Sequence, residues 1–152
     1  MVEILEESKG KDGRRILKVA KENLIALMAN LKDQGFDHLS LITGVDRKDR
    51  LEVVYHVHSM KKNEYIVVKT ETFDERVPSL TSLYSSANWD EREQYDLMGI
   101  IFEGHPNLKR MFLPENWAGH PLRKNYDLQK VQYINMDENG EDYATFDSGD
   151  GW

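Results

Sequence analysis

Apolar positions over residues 16–33 recur at three- and four-residue steps. Leu17, Ala20, Leu24, Leu27, Met28 and Leu31 form one side, and Lys18, Glu22 and Lys32 the other. This spacing predicts an amphipathic helix, which Gly35 is placed to stop. The pattern then changes. Three runs rich in β-branched and aromatic residues follow: HLSLITGVD (38–46), RLEVVYHVHS (50–59) and EYIVVKTETF (64–73). The linking stretches 46–49 and 60–63 are short enough for hairpins, so the runs predict an antiparallel meander. A helix followed by such a meander implies an α+β fold in which the helix covers one sheet face.

After Pro78 the character of the sequence changes. Residues 79–87 read as a short helix. Asn88 then stands where an N-cap would stand, with Glu91 three residues on, a capping-box pattern for a second helix over WDEREQYDLM (89–98) that Gly99 ends. From Gly99 to Tyr126 the chain is rich in Gly, Pro and aromatic residues. A long stretch without periodicity inside a small domain is usually functional or held by something else. The tripeptide Gly-His-Pro occurs twice, at 104–106 and 119–121. The expected organisation is one α+β domain over 1–126 with a loop-rich C-terminal extension, then an acidic arm over 127–152.

Charge sharpens that division. Of the net −7 over 152 residues, 1–126 carry only −1, while in 127–152 Lys130 stands against seven carboxylates. No basic stripe is present to neutralise a phosphate backbone, so nucleic acid is not an expected partner. The arm has two readings. Its polarity suits a solvated terminus. Yet Val131, Tyr133, Ile134, Met136, Tyr143, Phe146 and Trp152 are more apolar surface than solubility requires, which suits an arm that orders on a partner. There are no cysteines, which removes disulfides, iron–sulfur ligation and thiolate chemistry. The first fifteen residues lack the apolar core of a signal peptide, so a cytosolic compartment is expected.

The densest chemistry lies in 89–126. Glu91, Glu93 and Asp96, with Arg92 between them and His105 after them, could form an acid–base carboxylate pair, or a metal site from Glu93, Asp96 and His105. Against this, Arg92 and Asp96 are four apart and can pair, and Glu91 is explained by capping, so a solvated or partner-facing ion-pair network is the more economical reading. His56 and His58 share one face of a predicted strand, a geometry that can bind metal but supplies only two ligands. His105 and His120, each between Gly and Pro, read as corners that fix chain direction. No nucleophile elbow, Walker loop or dinucleotide fingerprint is present. Trp89, Tyr95, Phe102, Arg110, Phe112, Trp117, Arg123 and Tyr126 are instead the residue types enriched at interface hot spots.

The segment EREQYDLMGIIFEGHPNLKRMFLPENWAGHPLRKNY (91–126) resembles the signature of the thirty-kilodalton subunit family of respiratory complex I. Glu91, Arg92, Glu93, Asp96, Gly99, Ile100, Phe102, Gly104, His105, Pro106, Leu108 and Arg110 match the first part of the family pattern. Gly119, His120, Pro121, Leu122, Arg123, Lys124 and Tyr126 match the second. Asn125 stands where the family usually has Asp, and Leu97-Met98 where Met-Phe is more common. The resemblance implies a non-catalytic scaffold of the peripheral arm of a proton-translocating NADH:quinone oxidoreductase. Such a subunit has no cofactor and no catalytic activity of its own. Its expected partners are the large quinone-site subunit and adjacent iron–sulfur subunits. It would lie on the cytoplasmic side of the cell membrane, associated only through the complex. The alternative is the equivalent subunit of an energy-converting membrane-bound [NiFe] hydrogenase, or of a ferredoxin- or deazaflavin-dependent relative. In either case the matched residues other than Ile100 and Leu108, with Trp117, are the expected partner interface, and Arg92, Arg110 and Arg123 are expected to make the most consequential contacts, within or across it.

Overall fold

The computed structural model describes residues 1–146 and Gly149. Its sheet begins with two short strands that hydrophobic periodicity did not predict, β1 (Glu6–Lys9) and β2 (Arg15–Lys18). A 3-10 turn (Lys21–Asn23) leads into helix α1 (Leu24–Asp33). The predicted helix over 16–33 is thus correct only in its second half. Its first residues pair in parallel with the third meander strand, Leu17 lying opposite Val68. A short, mostly apolar stretch such as Ile16–Val19 fits helix and strand alike, and the available sheet edge decides between them.

The meander forms as predicted, with β3 (His38–Asp46), β4 (Leu51–Ser59) and β5 (Glu64–Thr72). The five strands run in the order β1-β2-β5-β4-β3, antiparallel except for the β2–β5 pairing. One face carries Leu39, Ile42, Val53, Tyr55, Val57, Ile66 and Val68. Against it pack Leu24, Leu27, Met28 and Leu31 of α1. This burial of alternate strand residues under one helical stripe is the main source of stability.

Beyond the meander, β6 (Arg76–Pro78) pairs in parallel with β7 (Ile101–Glu103), and helix α2 (Ala87–Met98) lies between them in sequence. Residues 79–86 form turns in place of the predicted helix. The capping box is absent as well. Asn88 lies inside α2, whose N-cap is Ser86 without a side-chain cap, its hydroxyl donating instead to the Leu39 carbonyl at 3.1 Å. α2 crosses β3 at Gly44, where a Cβ would fall 2.7 Å from Ile100 Cδ1 and 3.1 Å from Gln94 Oε1. Gly99 stops α2 with φ of 72°.

The arm contains a hairpin, β8 (Gln132–Met136) and β9 (Asp142–Phe146). Two side-chain amides act as substitute backbone to hold it. Asn116 accepts from the Ala144 N–H at 2.7 Å and donates to its carbonyl at 2.9 Å. Gln132 makes the same two-point contact with Ala118, at 2.9 and 2.8 Å. Trp152, Asp147 and Asp150, part of the arm's expected composition, lie outside the described residues.

Candidate partner-binding surface

The segment 91–126 is organised around one buried carboxylate. Asp96 is completely buried, and its Oδ1 receives Arg110 Nη1 at 3.0 Å. Its Oδ2 accepts from three successive backbone amides, Met111 (3.1 Å), Phe112 (2.7 Å) and Leu113 (3.1 Å). Arg110, whose side chain is only 7% exposed, uses Nη2 on the carbonyls of Trp117 and Gly119, at 2.9 and 3.0 Å. One ion pair therefore ties α2 to the chain at 110–113 and again at 117–119. Arg92 adds to the arrangement by donating to the carbonyls of Lys109 and Arg110 and lying 5.2 Å over the Trp89 ring. The expected Arg92–Asp96 pair does not form, because Arg110 arrives from outside the helix with better access to the buried face.

The second Gly-His-Pro stretch closes the end of α2. A helix leaves its last four carbonyls without intrahelical partners, and here each finds a donor. The Tyr95 carbonyl accepts from Gly99 N, that of Asp96 from His120 Nδ1 at 2.9 Å, that of Leu97 from Leu122 N at 2.9 Å, and that of Met98 from Arg123 Nε. Arg123 also pairs with Glu75 at 2.6 Å. The His120 ring lies against Gly99 so closely that a Cβ there would fall 2.6 Å from its Cδ2. Burial lowers the pKa of His120, which favours the neutral ring. Lys124 N donates to Asp46 Oδ2 at 2.9 Å, and the carboxyl of Asp46 is held low by that bond and by Lys48 N.

Glu91 does not cap α2. It is completely buried and accepts from Ser79 Oγ and Leu80 N, both at 2.7 Å, fixing the turn after β6. Burial pushes its pKa up to about 7. The Tyr55 hydroxyl, buried and without a hydrogen-bond partner among the described residues, is also raised, by burial first and the Glu91 charge second.

The three groups of the possible metal set go to different tasks. Asp96 is committed as described, Glu93 is half-buried on α2, and His105 holds a corner, donating from Nε2 to the Asn88 carbonyl and accepting at Nδ1 from Asn107 N. Among the described residues no three His, Cys, Asp or Glu side chains are grouped to hold a metal ion. His56 and His58 do share the outer sheet face, with His58 stacked on Tyr65 at 4.0 Å.

The motif thus divides into an inner and an outer set. Glu91, Asp96, Gly99 and Phe102 are buried, with Arg110 nearly so. Gly104, Pro106, Gly119, Leu122 and Lys124 are exposed, and Arg92, Glu93, His105, Trp117, His120, Pro121, Arg123 and Tyr126 are half-buried. Trp89, Phe112 and Leu128, within this segment or close to it in sequence, are exposed apolar side chains. Phe112 and Leu122 are 59% and 58% exposed although their backbone amides are bound to Asp96 and to the Leu97 carbonyl. Sequence patterning does not single out Asp46, Glu75, Asn116 or Gln132, since lone polar residues in turns carry no periodicity to reveal their partners.

Comparison with known proteins gives this arrangement a family. The family model described as "Respiratory-chain NADH dehydrogenase, 30 Kd subunit" matches residues 17–132, and the chain belongs to that family. A relative from Moorella thermoacetica, itself an NADH-quinone oxidoreductase subunit, is 46% identical over 118 residues, covering 74% of this chain and 80% of that one. The subunit of the same name from Sinorhizobium medicae is 44% identical over 133 residues, covering 81% of this chain but only 66% of its own length. Among solved structures, a trypsin-resistant fragment of Nqo5 matches with a TM-score of 0.64 and 34% identity, over 68% of this chain and 89% of the fragment. A chain of the membrane-bound sulfane sulfur reductase, an archaeal respiratory membrane complex, matches with a TM-score of 0.71 and 26% identity, over 81% of this chain and 77% of that one. Members of the family are subunits of a multi-subunit NADH–quinone oxidoreductase. Among the described residues, no helix is long and apolar enough to cross a membrane.

Proposed function

We infer that this chain is a non-catalytic scaffold subunit in the peripheral arm of a complex I-type NADH:quinone oxidoreductase. It would dock on the large quinone-site subunit, next to iron–sulfur subunits, on the cytoplasmic side of the membrane. The observation that carries this reading is the pairing of tied backbone with exposed side chain at Phe112 and Leu122. An apolar anchor on a fixed backbone loses little freedom when a partner covers it, so more of its burial energy appears as affinity. The polar motif residues serve this end by holding the loop rigid, and domain 1–126 presents it while arm 127–152 adds a second contact.

The likeness to a chain of an archaeal membrane-bound sulfane sulfur reductase supports the second reading, the equivalent subunit of a membrane-bound hydrogenase or other complex I relative. Both place electron transfer in other subunits. A tagged chain expressed in its host, recovered from detergent-solubilised membranes and identified with its companions by mass spectrometry, tests the proposal. It should appear in a large particle with the quinone-site subunit. Recovery as a free small protein would overturn the reading. A flavin-binding NADH module among the companions selects the first reading, and a large subunit with intact paired CxxC motifs selects the second.

A further inference from the structure

The β8–β9 hairpin carries an open strand edge. In an antiparallel pair, residues alternate between those whose N–H and C=O face the neighbouring strand and those whose groups face away. Ala144 is of the second kind, because both its backbone groups are taken by the Asn116 side chain. Ile134 lies directly across from Ala144. The N–H and C=O of Ile134, and two residues on those of Met136, therefore point outward along the opposite edge of β8. Among the described residues nothing hydrogen-bonds to them, and Ile134 and Met136 are 52% and 69% exposed. An apolar strand edge with unpaired backbone is a template for another strand, and a two-stranded ribbon is only marginally stable without further support. The turn of the hairpin is acidic, with Asp137, Glu138, Glu141 and Asp142.

We propose that an extended segment of a partner protein completes this ribbon, adding as a third strand along Gln132–Met136. The segment places apolar side chains beside Ile134 and Met136 and carries Lys or Arg where it passes the acidic turn. Main-chain bonds supply the attraction, alternate side chains the selectivity, and the charged turn the direction of the added strand. A second copy of this chain fits less well, since residues 127–146 hold Lys130 against five carboxylates and two such arms repel. The inference rests on the reading of the chain as part of a complex and specifies how its arm is held.

Amide hydrogen exchange on the membrane complex and on the free full chain tests it. The amides of Ile134 and Met136 should exchange at least about tenfold more slowly in the complex, while those of Tyr133 and Asn135, which face β9, change less. Ile134→Pro removes an outward N–H but no bond of the hairpin's own ladder, so it should lower recovery of the complex relative to Ile134→Val. An intact complex in which the two amides exchange as in the free chain overturns this inference and leaves the subunit reading standing. Slowing in the free chain that grows with its concentration identifies a second copy as the occupant and also overturns it. Failure to recover any complex removes both readings. If the proline variant does not fold, the wild-type exchange comparison decides alone.

Discussion

Glu91 shows how one buried side chain can be both structural and costly. Its two hydrogen bonds, from Ser79 and Leu80, favour the carboxylate, but removal from water opposes it more strongly and raises the pKa from 4.5 to about 7. Between these values the folded chain keeps a proton that the unfolded chain releases. The stabilisation from this group is therefore complete below about pH 4.5 and is lost as pH rises through 7, on the order of 3 kcal/mol in all. His56 and His120 act in the opposite sense. Burial lowers their pKa values from 6.5, so their contribution is present above 6.5 and lost as pH falls through the lowered folded values. A plain pH profile mixes these effects, whereas the difference between wild type and Glu91→Gln isolates the glutamate. Urea midpoints measured from pH 4.5 to 8 should move in favour of the glutamine variant by the equivalent of about 3 kcal/mol across that range. A difference that does not vary with pH would mean that Glu91 is ionised throughout. Asp96 is the contrasting case, since its partner Arg110 is almost as buried. Asp96→Asn leaves that guanidinium without a counter-charge and should cost about 3–5 kcal/mol in thermal or urea unfolding. Adding Arg110→Met should return part of the loss, and a strictly additive double mutant would argue against coupling.

At the scale of elements, the chain uses loops to finish what helices and strands leave incomplete. α2 ends at a glycine that the His120 ring covers, and residues 119–123 supply three of the four donors its last turn lacks. On the other side α2 approaches β3 so closely that Gly44→Ala should destabilise the fold by about 1–3 kcal/mol, read as a lower urea midpoint with an unchanged slope. The hairpin hangs on two amides, so Asn116→Ala should release it. Limited proteolysis within residues 127–146 should accelerate, while global stability falls by only about 1 kcal/mol. These contacts explain which elements are legible in the sequence. The meander is readable because three nine-residue strands rich in β-branched and aromatic residues are joined by links short enough for hairpins, as is the end of α2 at Gly99. β2 is not, because Arg15–Lys18 is too short to distinguish a strand from a first helical turn until β5 offers an edge. The expected capping box fails because Glu91 faces the buried turn at 79–80 instead of solvent, and spacing alone does not tell inward from outward. In the motif, the residue types are visible but their pairing is not. Asp96 lies fourteen residues from Arg110, and no local rule chooses that partner over Arg92.

For the whole molecule, the consequence is a separation between what holds the chain together and what it offers outward. Carboxylates and guanidinium groups that could have formed a solvated network are turned inward at Asp96 and Arg110, and exposed aromatic and aliphatic groups remain at the surface of the same loop. A chain built this way should fold alone yet associate poorly with water at that loop, since exposed apolar clusters on soluble proteins mark contact sites. The double variant Phe112→Asp with Leu122→Asp tests this separation directly. Both side chains are largely exposed and both backbone bonds survive the change, so the urea midpoint should stay within about 0.5 kcal/mol of wild type. Recovery with the membrane complex should drop at least tenfold, because each buried anchor at the centre of an interface is worth about 2 kcal/mol or more. Arg110→Ala should give the reverse order of effects, losing stability first and assembly only as a result. If the double aspartate variant assembled normally, the loop would be a brace for α2 and nothing more. The docking surface would then have to be sought on the hairpin or on the outer sheet face around His58 and Tyr65.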